Sequence, residues 1–374
     1  MNHGIDSPFG RLRNVALIAG LAAAVVSVVG AVFNRAQFFH SYLFAWLFWA
    51  GLSLGSLVVV MMQSLTGGDW GRAVRGLAVA AFRTLPAMAL LFVPILFGLA
   101  DLYSWVKGFP PDFGPHQHKA AYLTVPFFIV RSCFYLAVLI ALAAAVRRQE
   151  RGPRLAGVSA AGLIIYVMCM NFASTDWVMS LNPKWYSTIF VEVFASGQFL
   201  SALALLTAML ALLHRTTPLG RQASTKTFHD LGNMLLAFVI FWTYVGFSQF
   251  LIIWSGNLPR EISWYLDRSR GGWQWIAVLL LMVAFVLPFA LLLSREAKRN
   301  PQRLLIIAMV IMAATVLMNF WFVAPSFHPG GVYVHWQDVI ELVALGGFWF
   351  ALFFHFANQQ PLVQEQSTER KSDG

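Results

Sequence analysis

The stretch STIFVEVFASGQFLS, residues 187–201, is an apolar segment that contains a single acid, Glu192. A similar segment stands near the end of the chain, where VEVFASGQF becomes IELVALGGF and Glu192 aligns with Glu341. A weaker copy, SYLFAWLFWAGLSL, begins at Ser41. Self-similarity at a nearly constant spacing indicates a repeated structural unit. The sequence therefore predicts a duplicated helical unit that carries an acid within an apolar helix.

The composition excludes an ordinary soluble domain. Of the 374 residues, 59% are hydrophobic and 11% are charged, whereas about a quarter of the residues in soluble domains are charged. A bilayer-spanning helix needs roughly 20 apolar residues. The first apolar stretch lacks a clear signal-cleavage site and is therefore expected to be retained as a helix. The qualifying windows are 14–33, 38–63, 79–99, 120–146, 154–172, 187–212, 229–254, 272–293, 303–323 and 334–357.

These ten windows predict an all-α polytopic membrane protein, and the charge distribution predicts its orientation. With the N-terminus inside, 17 of the 26 Lys and Arg residues fall on the inner side and seven on the outer side. This asymmetry follows the positive-inside rule. The net charge of +10 is thus expected to set topology rather than to bind nucleic acid. Both termini are expected to be cytoplasmic, as in a bacterial inner membrane protein.

The repeat predicts a domain organisation of two four-helix bundles, inserted in the same orientation because each contains an even number of spans. Two flanking helices, helix 1 and helix 10, complete the predicted architecture. The predicted parts are an N-terminal tail and helix 1 (1–37), a first bundle of helices 2–5 (38–186), a second bundle of helices 6–9 (187–333), helix 10 (334–357) and a disordered cytoplasmic tail (358–374).

Tryptophan is concentrated at the predicted outer boundary, which holds nine of the 14 residues. An interfacial aromatic belt would explain aromatic residues at a membrane surface. Because a belt should decorate both faces, the excess also suggests an outer surface that docks another protein.

The acids inside the apolar windows are the leading functional candidates, since a charge at mid-membrane costs about 3 kcal/mol on insertion scales. Asp338 and Glu341 share one face of helix 10, and His335 lies one turn before Asp338. Glu192 is expected at a similar depth in the other copy. Such acids cannot all stay ionised cheaply. They suit a proton relay or a hydrogen bond to a quinol hydroxyl, and the alternative is an ion pair or a backbone cap.

Four further ionisable groups have a structural interpretation. Arg131, near mid-membrane on helix 4, is expected to be a counter-ion for one of these acids, and the alternative is that it belongs to the polar half-channel or quinol-adjacent site that they form. Asp230 begins helix 7, either as an ordinary N-cap or as the inner mouth of a proton route. Asp101 and Asp176 are expected at the surface.

Motifs for redox centres and soluble enzymes are absent from the sequence. There is no CxxC, CxxCH, P-loop, HExxH or GxSxG pattern, and no metal or covalent cofactor site is predicted. Cys133 and Cys169 are expected to be buried thiols. Gly51 and Gly55 form a GxxxG pattern, which favours close helix packing.

Several strings resemble the ActF-type membrane subunit of alternative complex III, a quinol:cytochrome c or quinol:oxidase oxidoreductase related to NrfD/PsrC-type quinone-interacting proteins. The resemblance extends from helix 2 through helix 10. The strings that carry it are SYLFAWLFWAGLSLGSL, STDWVMSLNPKWYSTIF, FHDLGNMLLAF, FSQFLIIWSGNLPREISWYL and GGWQW.

The resemblance implies a respiratory complex with a multihaem cytochrome c subunit, an iron–sulfur subunit and an ActC-type sister membrane subunit. Haem c and iron–sulfur clusters would belong to those partners. The chain itself is not expected to be catalytic alone, and menaquinol or ubiquinol is the candidate ligand. Its implied role is scaffolding, with a proton route or a site next to quinol. A purely structural anchor and a stand-alone secondary transporter are the alternatives.

Overall fold

A computed structural model describes residues 8–109, 117–150, 152–214, 223–258 and 262–359. Within these ranges there is no strand, and ten helices are long and apolar enough to cross a membrane. The ten predicted windows are therefore confirmed, and the chain is an all-α polytopic membrane protein. The helices are α1 (Pro8–Phe33), α2 (Arg35–Thr66), α3 (Asp69–Phe97), α4 (Val125–Arg148), α5 (Leu155–Trp177), α6 (Phe190–Leu213), α7 (Thr225–Gly256), α8 (Trp273–Leu293), α9 (Pro301–Phe327) and α10 (Trp336–Asn358).

Some sequence-based expectations concern residues outside this described part. They are the N-terminal tail up to residue 7, the Pro- and Gly-rich loop residues 110–116, the C-terminal tail beyond residue 359, and the basic residues Arg151, Arg215, Arg221, Arg260, Arg370 and Lys371.

Two of the spanning helices are irregular because of internal prolines. Proline lacks an N–H and clashes with the carbonyl four residues earlier. In α3, helical segments end at Phe82 and Leu90, four residues before Pro86 and Pro94 respectively. In α8, a π-helical turn, Met282–Val286, precedes Pro288. The α3 breaks are stabilised from α2, where Trp46 Nε1 and the Tyr42 hydroxyl each donate a 2.8 Å hydrogen bond to an α3 carbonyl.

The centre of the molecule is α2, whose most apolar window is entirely buried. It packs against α3, α5, α6, α9 and α10. The contact with α6 brings the two backbones close together, because a Cβ added at Gly55 would lie 2.0 Å from the Gln198 carbonyl oxygen. Gly51 also faces the Gln198 side chain. The close packing predicted from the GxxxG pattern is therefore confirmed, and it joins the two predicted bundles through α2 and α6.

Helix α1 lies along α10 in the antiparallel direction. Gly20 and Gly347 meet backbone to backbone, so that a Cβ added at Gly347 would lie 2.3 Å from the Gly20 Cα. Small residues permit this approach between membrane helices. Farther along, Gly30 faces Gln337. The opposite face of α1 is exposed and apolar, as expected of a lipid-facing surface.

The helix termini define two ends of the bundle. The basic end carries the termini near residues 8, 66–69, 148–155, 213–225, 293–301 and 358, and the aromatic end carries the others. Of the nine tryptophans predicted for the aromatic end, only Trp254, Trp275 and Trp336 are exposed and Trp321 is half-buried. The prediction that the excess forms an outer docking surface is wrong for the rest, which pack inside the chain: Trp105, Trp177, Trp185, Trp264 and Trp273.

We predict that Gly55→Ala destabilises the fold by forcing α2 away from α6, since overpacking costs about 1–3 kcal/mol. Thermal unfolding of the detergent-solubilised protein should show a clearly lower midpoint. Gly157→Ala on α5 is the control, because a Cβ there meets nothing within 4 Å. Equal midpoints for the two variants would contradict the close contact.

Candidate functional site

The polar cluster at the aromatic end of α10 begins with a helix cap. His335 is the N-cap residue, and its ring Nδ1 accepts a hydrogen bond from the Gln337 N–H at 3.3 Å. The Asp338 carboxylate reaches back and accepts from the His335 N–H at 2.8 Å. This reciprocal capping box satisfies backbone donors that the first helical turn leaves free. It also fixes the position of Asp338.

The second oxygen of Asp338 faces α2. It accepts a 2.6 Å hydrogen bond from the Ser41 hydroxyl and a longer one, 3.4 Å, from the Gln37 amide. Gln37 also donates to the Ser41 oxygen at 3.0 Å. Asp338 thus accepts from three donors and lies in the first turn of a helix, where the helix dipole favours negative charge.

Glu341 lies one turn deeper and is 1% exposed. Among the described residues its side chain accepts one hydrogen bond, 2.5 Å long, from Ser27 on α1. In the described part of the chain, no side-chain nitrogen of Lys, Arg or His lies within 4.0 Å of a carboxylate oxygen of Asp338 or Glu341. Helix α1 therefore covers a buried acid that has no neutralising cation in contact.

A small cavity of about 10 Å³ adjoins Asp338. His40, His328 and Tyr333 line it, and His40 stacks on Phe327 with ring centroids 3.6 Å apart. The His40 Nδ1 and His328 Nε2 atoms are buried without a hydrogen-bond partner. Because a volume of roughly 10–15 Å³ holds one water, the cavity has room for one water beside Asp338.

Burial lowers the pKa of His328, an effect that the nearby Asp338 charge opposes and His335 reinforces. A neutral imidazole both donates and accepts. The cavity therefore brings an acid and a group able to pass a proton close together. Gln337, in the first turn of the same helix as Asp338, carries a completely buried side-chain amide. Its oxygen and nitrogen both lack a hydrogen-bond partner among the described residues.

Two of the predicted site residues lie elsewhere. Helix α6 begins at Phe190, so that Glu192 occupies its first turn and is exposed. The expectation of equal depth for Glu192 and Glu341 is therefore wrong. Asp230 is not an N-cap, since α7 begins at Thr225 and Ser224 caps it. Asp230 lies near the basic end, 3.7 Å from His229.

Arg131 pairs with a different acid from those expected. Its guanidinium forms two hydrogen bonds to Asp176, of 2.9 and 2.8 Å, and donates a third to the Tyr122 carbonyl. Tyr135 also donates to Asp176 at 3.0 Å. Asp176 is completely buried, so the prediction of a surface position for it is wrong. The bidentate, hydrogen-bonded pair is a structural clamp between α4 and α5.

The remaining ionisable and reactive groups are simpler. Asp101 forms a 3.1 Å ion pair with Arg35 near the surface. Cys169 is buried as predicted, but Cys133 is exposed on α4, so the expectation of two buried thiols is wrong for Cys133. No group of three His, Cys, Asp or Glu side chains suited to a metal occurs among the described residues.

The sequence identified Asp338, Glu341 and His335 but not the groups that surround them. Ser27, Gln37, Ser41 and His328 are isolated polar residues, and only their helical depth could have indicated them. Fold and site together define a polytopic helical membrane protein with a buried acid cluster. No protein-family model and no curated protein matches the chain.

We predict that Asp176→Asn strongly destabilises the protein, because it leaves the Arg131 charge buried and unpaired. Breaking such a pair typically costs about 3–5 kcal/mol, whereas an exposed pair contributes about 0–1 kcal/mol. Thermal unfolding should therefore separate Asp176→Asn from the control Asp101→Asn. Similar, small effects of both changes would show that the clamp does not stabilise the fold.

Proposed function

We propose that this chain is an integral, non-redox subunit of a respiratory quinol oxidoreductase of the alternative complex III type. In this proposal, the Asp338–Glu341 cluster takes up and releases protons. The observation that carries the proposal is the burial of two adjacent acids among hydroxyl, amide and imidazole groups, without a cation in contact. The resemblance of five sequence segments to the ActF-type subunit supplies the class of complex.

The two acids have different roles in this proposal. Three donors hold the Asp338 carboxyl group in place at the helix N-terminus. Two carboxyl groups one turn apart cannot both be ionised cheaply, and the contact of Glu341 is a single hydroxyl. Glu341 is thus the member that holds a proton and shares it with Ser27. The His40–His328 cavity adjoins Asp338 and continues the route from there.

The same proposal assigns the electron carriers to partner subunits. These are a multihaem cytochrome c, an iron–sulfur protein and an ActC-type sister subunit, with menaquinol or ubiquinol as electron donor. The exposed side chains of Trp254, Trp275 and Trp336 leave an aromatic surface for a partner or for lipid headgroups.

A purely structural membrane anchor is the second candidate function. The Arg131–Asp176 clamp favours it, because that ion pair only stabilises the packing of α4 against α5. In that case the acids near α1 would likewise only position helices. A stand-alone transporter is less well supported, since the irregular helices α3 and α8 do not occupy equivalent positions in the two predicted bundles.

We predict that Glu341→Gln in the assembled complex lowers quinol-driven turnover, or the accompanying proton movement, by roughly a hundredfold, as expected for a positioned proton-transfer group. The amide keeps the size of the side chain but cannot exchange the proton.

Glu192→Gln is the matched control, because that acid is exposed and lies outside the cluster. Turnover per assembled complex should be unchanged in this variant. Unchanged turnover in Glu341→Gln, with altered assembly or thermal stability alone, would favour the structural anchor. Gentle solubilisation of the native membrane should co-purify the cytochrome and iron–sulfur subunits, and purification of a lone chain would contradict the proposed complex.

A further inference from the structure

A pocket of about 580 Å³ lies at the basic end of the bundle, between the end of α6 and the start of α9. This volume is within the range of roughly 300–1,000 Å³ typical of small-molecule sites. His214, Arg299 and Gln302 contribute polar side chains to its lining, and Leu212 and Leu305 contribute apolar ones. On both helices the apolar residue lies deeper in the bundle than the polar one. The pocket is therefore polar towards the helix ends and apolar towards the membrane interior.

The apolar side of the pocket continues into the outer surface of the bundle. Leu212, which lines the pocket, is itself exposed. Met309 follows Leu305 by four residues and so shares its face of α9, and it is exposed as well. Exposed apolar side chains on spanning helices contact lipid tails. The deeper part of the pocket thus adjoins lipid.

The chain beside the pocket carries more cations than acids, namely Arg295, Lys298, Arg299 and Arg303 against Glu296. Two of these cations already have partners. Arg303 pairs with Glu296 at 2.7 Å, and Lys298 donates to the Asn233 side chain at 2.8 Å. The guanidinium groups of Arg295 and Arg299 form no hydrogen bond or ion pair with other described residues. Two arginines are therefore available to an anion.

These two arginines belong to the short helical segment Arg295–Arg299 between α8 and α9. They are four residues apart and so share one face of it. A guanidinium group binds phosphate oxygens through two parallel N–H groups. The N-terminus of α9 does not supply the anion site, because the Asn300 side chain already accepts from the Gln302 and Arg303 N–H groups. The arginine side chains provide the positive charge.

The combination of free arginines with a lipid-facing apolar side selects one kind of ligand. A soluble phosphate compound would use the arginines but not the apolar lining. Phosphatidylcholine carries its own cation, which the excess of positive charge disfavours. An anionic phospholipid matches both parts of the pocket, and basic pockets between spanning helices are known to bind such headgroups.

We propose that the pocket between α6 and α9 binds an anionic phospholipid. Its phosphate accepts hydrogen bonds from Arg299, and Arg295 adds positive charge on the same face. Its acyl chains lie against Leu212 and Leu305. The site shares no residue with the acid cluster and is independent of the proposed respiratory role.

The test is titration of dioleoylphosphatidylglycerol into the full-length protein in detergent, with bound lipid counted by native mass spectrometry. Arg299→Gln should weaken binding by roughly fivefold, the contribution of one basic residue next to an anionic headgroup. Arg154→Gln is the matched control, because Arg154 is an exposed arginine at the same end of the bundle and does not line the pocket. Unchanged thermal midpoints will confirm that both variants are folded.

Three results together support the site. Phosphatidylglycerol binds more tightly than dioleoylphosphatidylcholine, Arg299→Gln alone loses this preference, and excess inorganic phosphate does not displace the lipid. Equal binding by the unmodified protein and both variants, or equal affinity for the two lipids, would overturn the proposal. Displacement by inorganic phosphate would also overturn it, since that result identifies a site for soluble anions.

Discussion

The burial of two carboxyl groups without a cation in contact is the constraint on which this structure depends. Asp338 and Glu341 lie inside an apolar bundle, where an unpaired charge is expensive. Helix α1 provides the Ser27 hydroxyl, and α2 provides Ser41 and Gln37. The Ser27 hydroxyl reaches Glu341 because α1 and α10 meet backbone to backbone at Gly20 and Gly347. Helix packing and acid stabilisation are therefore one arrangement.

The chain stabilises its buried charges in three different ways. Asp176 is paired directly with Arg131. Arg268, in the segment between α7 and α8, instead donates to the backbone carbonyls of Trp321 and Phe322 on α9. Both arrangements hold the charge in one fixed state. The acids of α10 instead contact hydroxyl and amide groups that can both donate and accept, and Asp338 also adjoins a cavity large enough for one water. That difference separates the clamps from the cluster proposed to exchange protons.

Hydropathy was sufficient to predict the ten spans, and the three-residue spacing of Asp338 and Glu341 predicted their shared face. The partners of the charges could not be predicted, because they depend on which helices are neighbours. Arg131 meets Asp176 because α4 and α5 are adjacent. Glu192 was misplaced because α6 begins three residues later than the repeat suggests. Tryptophan frequency at one end could not distinguish a surface belt from rings packed inside the chain.

The protonation state of Glu341 tests the central claim most directly. Infrared difference spectroscopy of the full-length protein in lipid, comparing the unmodified chain with Glu341→Gln at neutral pH, measures it. The account predicts the carbonyl stretch of a protonated carboxylic acid that disappears in Glu341→Gln and persists in Glu192→Gln. Loss of a carboxylate band instead, with no protonated-acid band, would show that Glu341 is ionised and contradict its role as the proton-holding member of the pair.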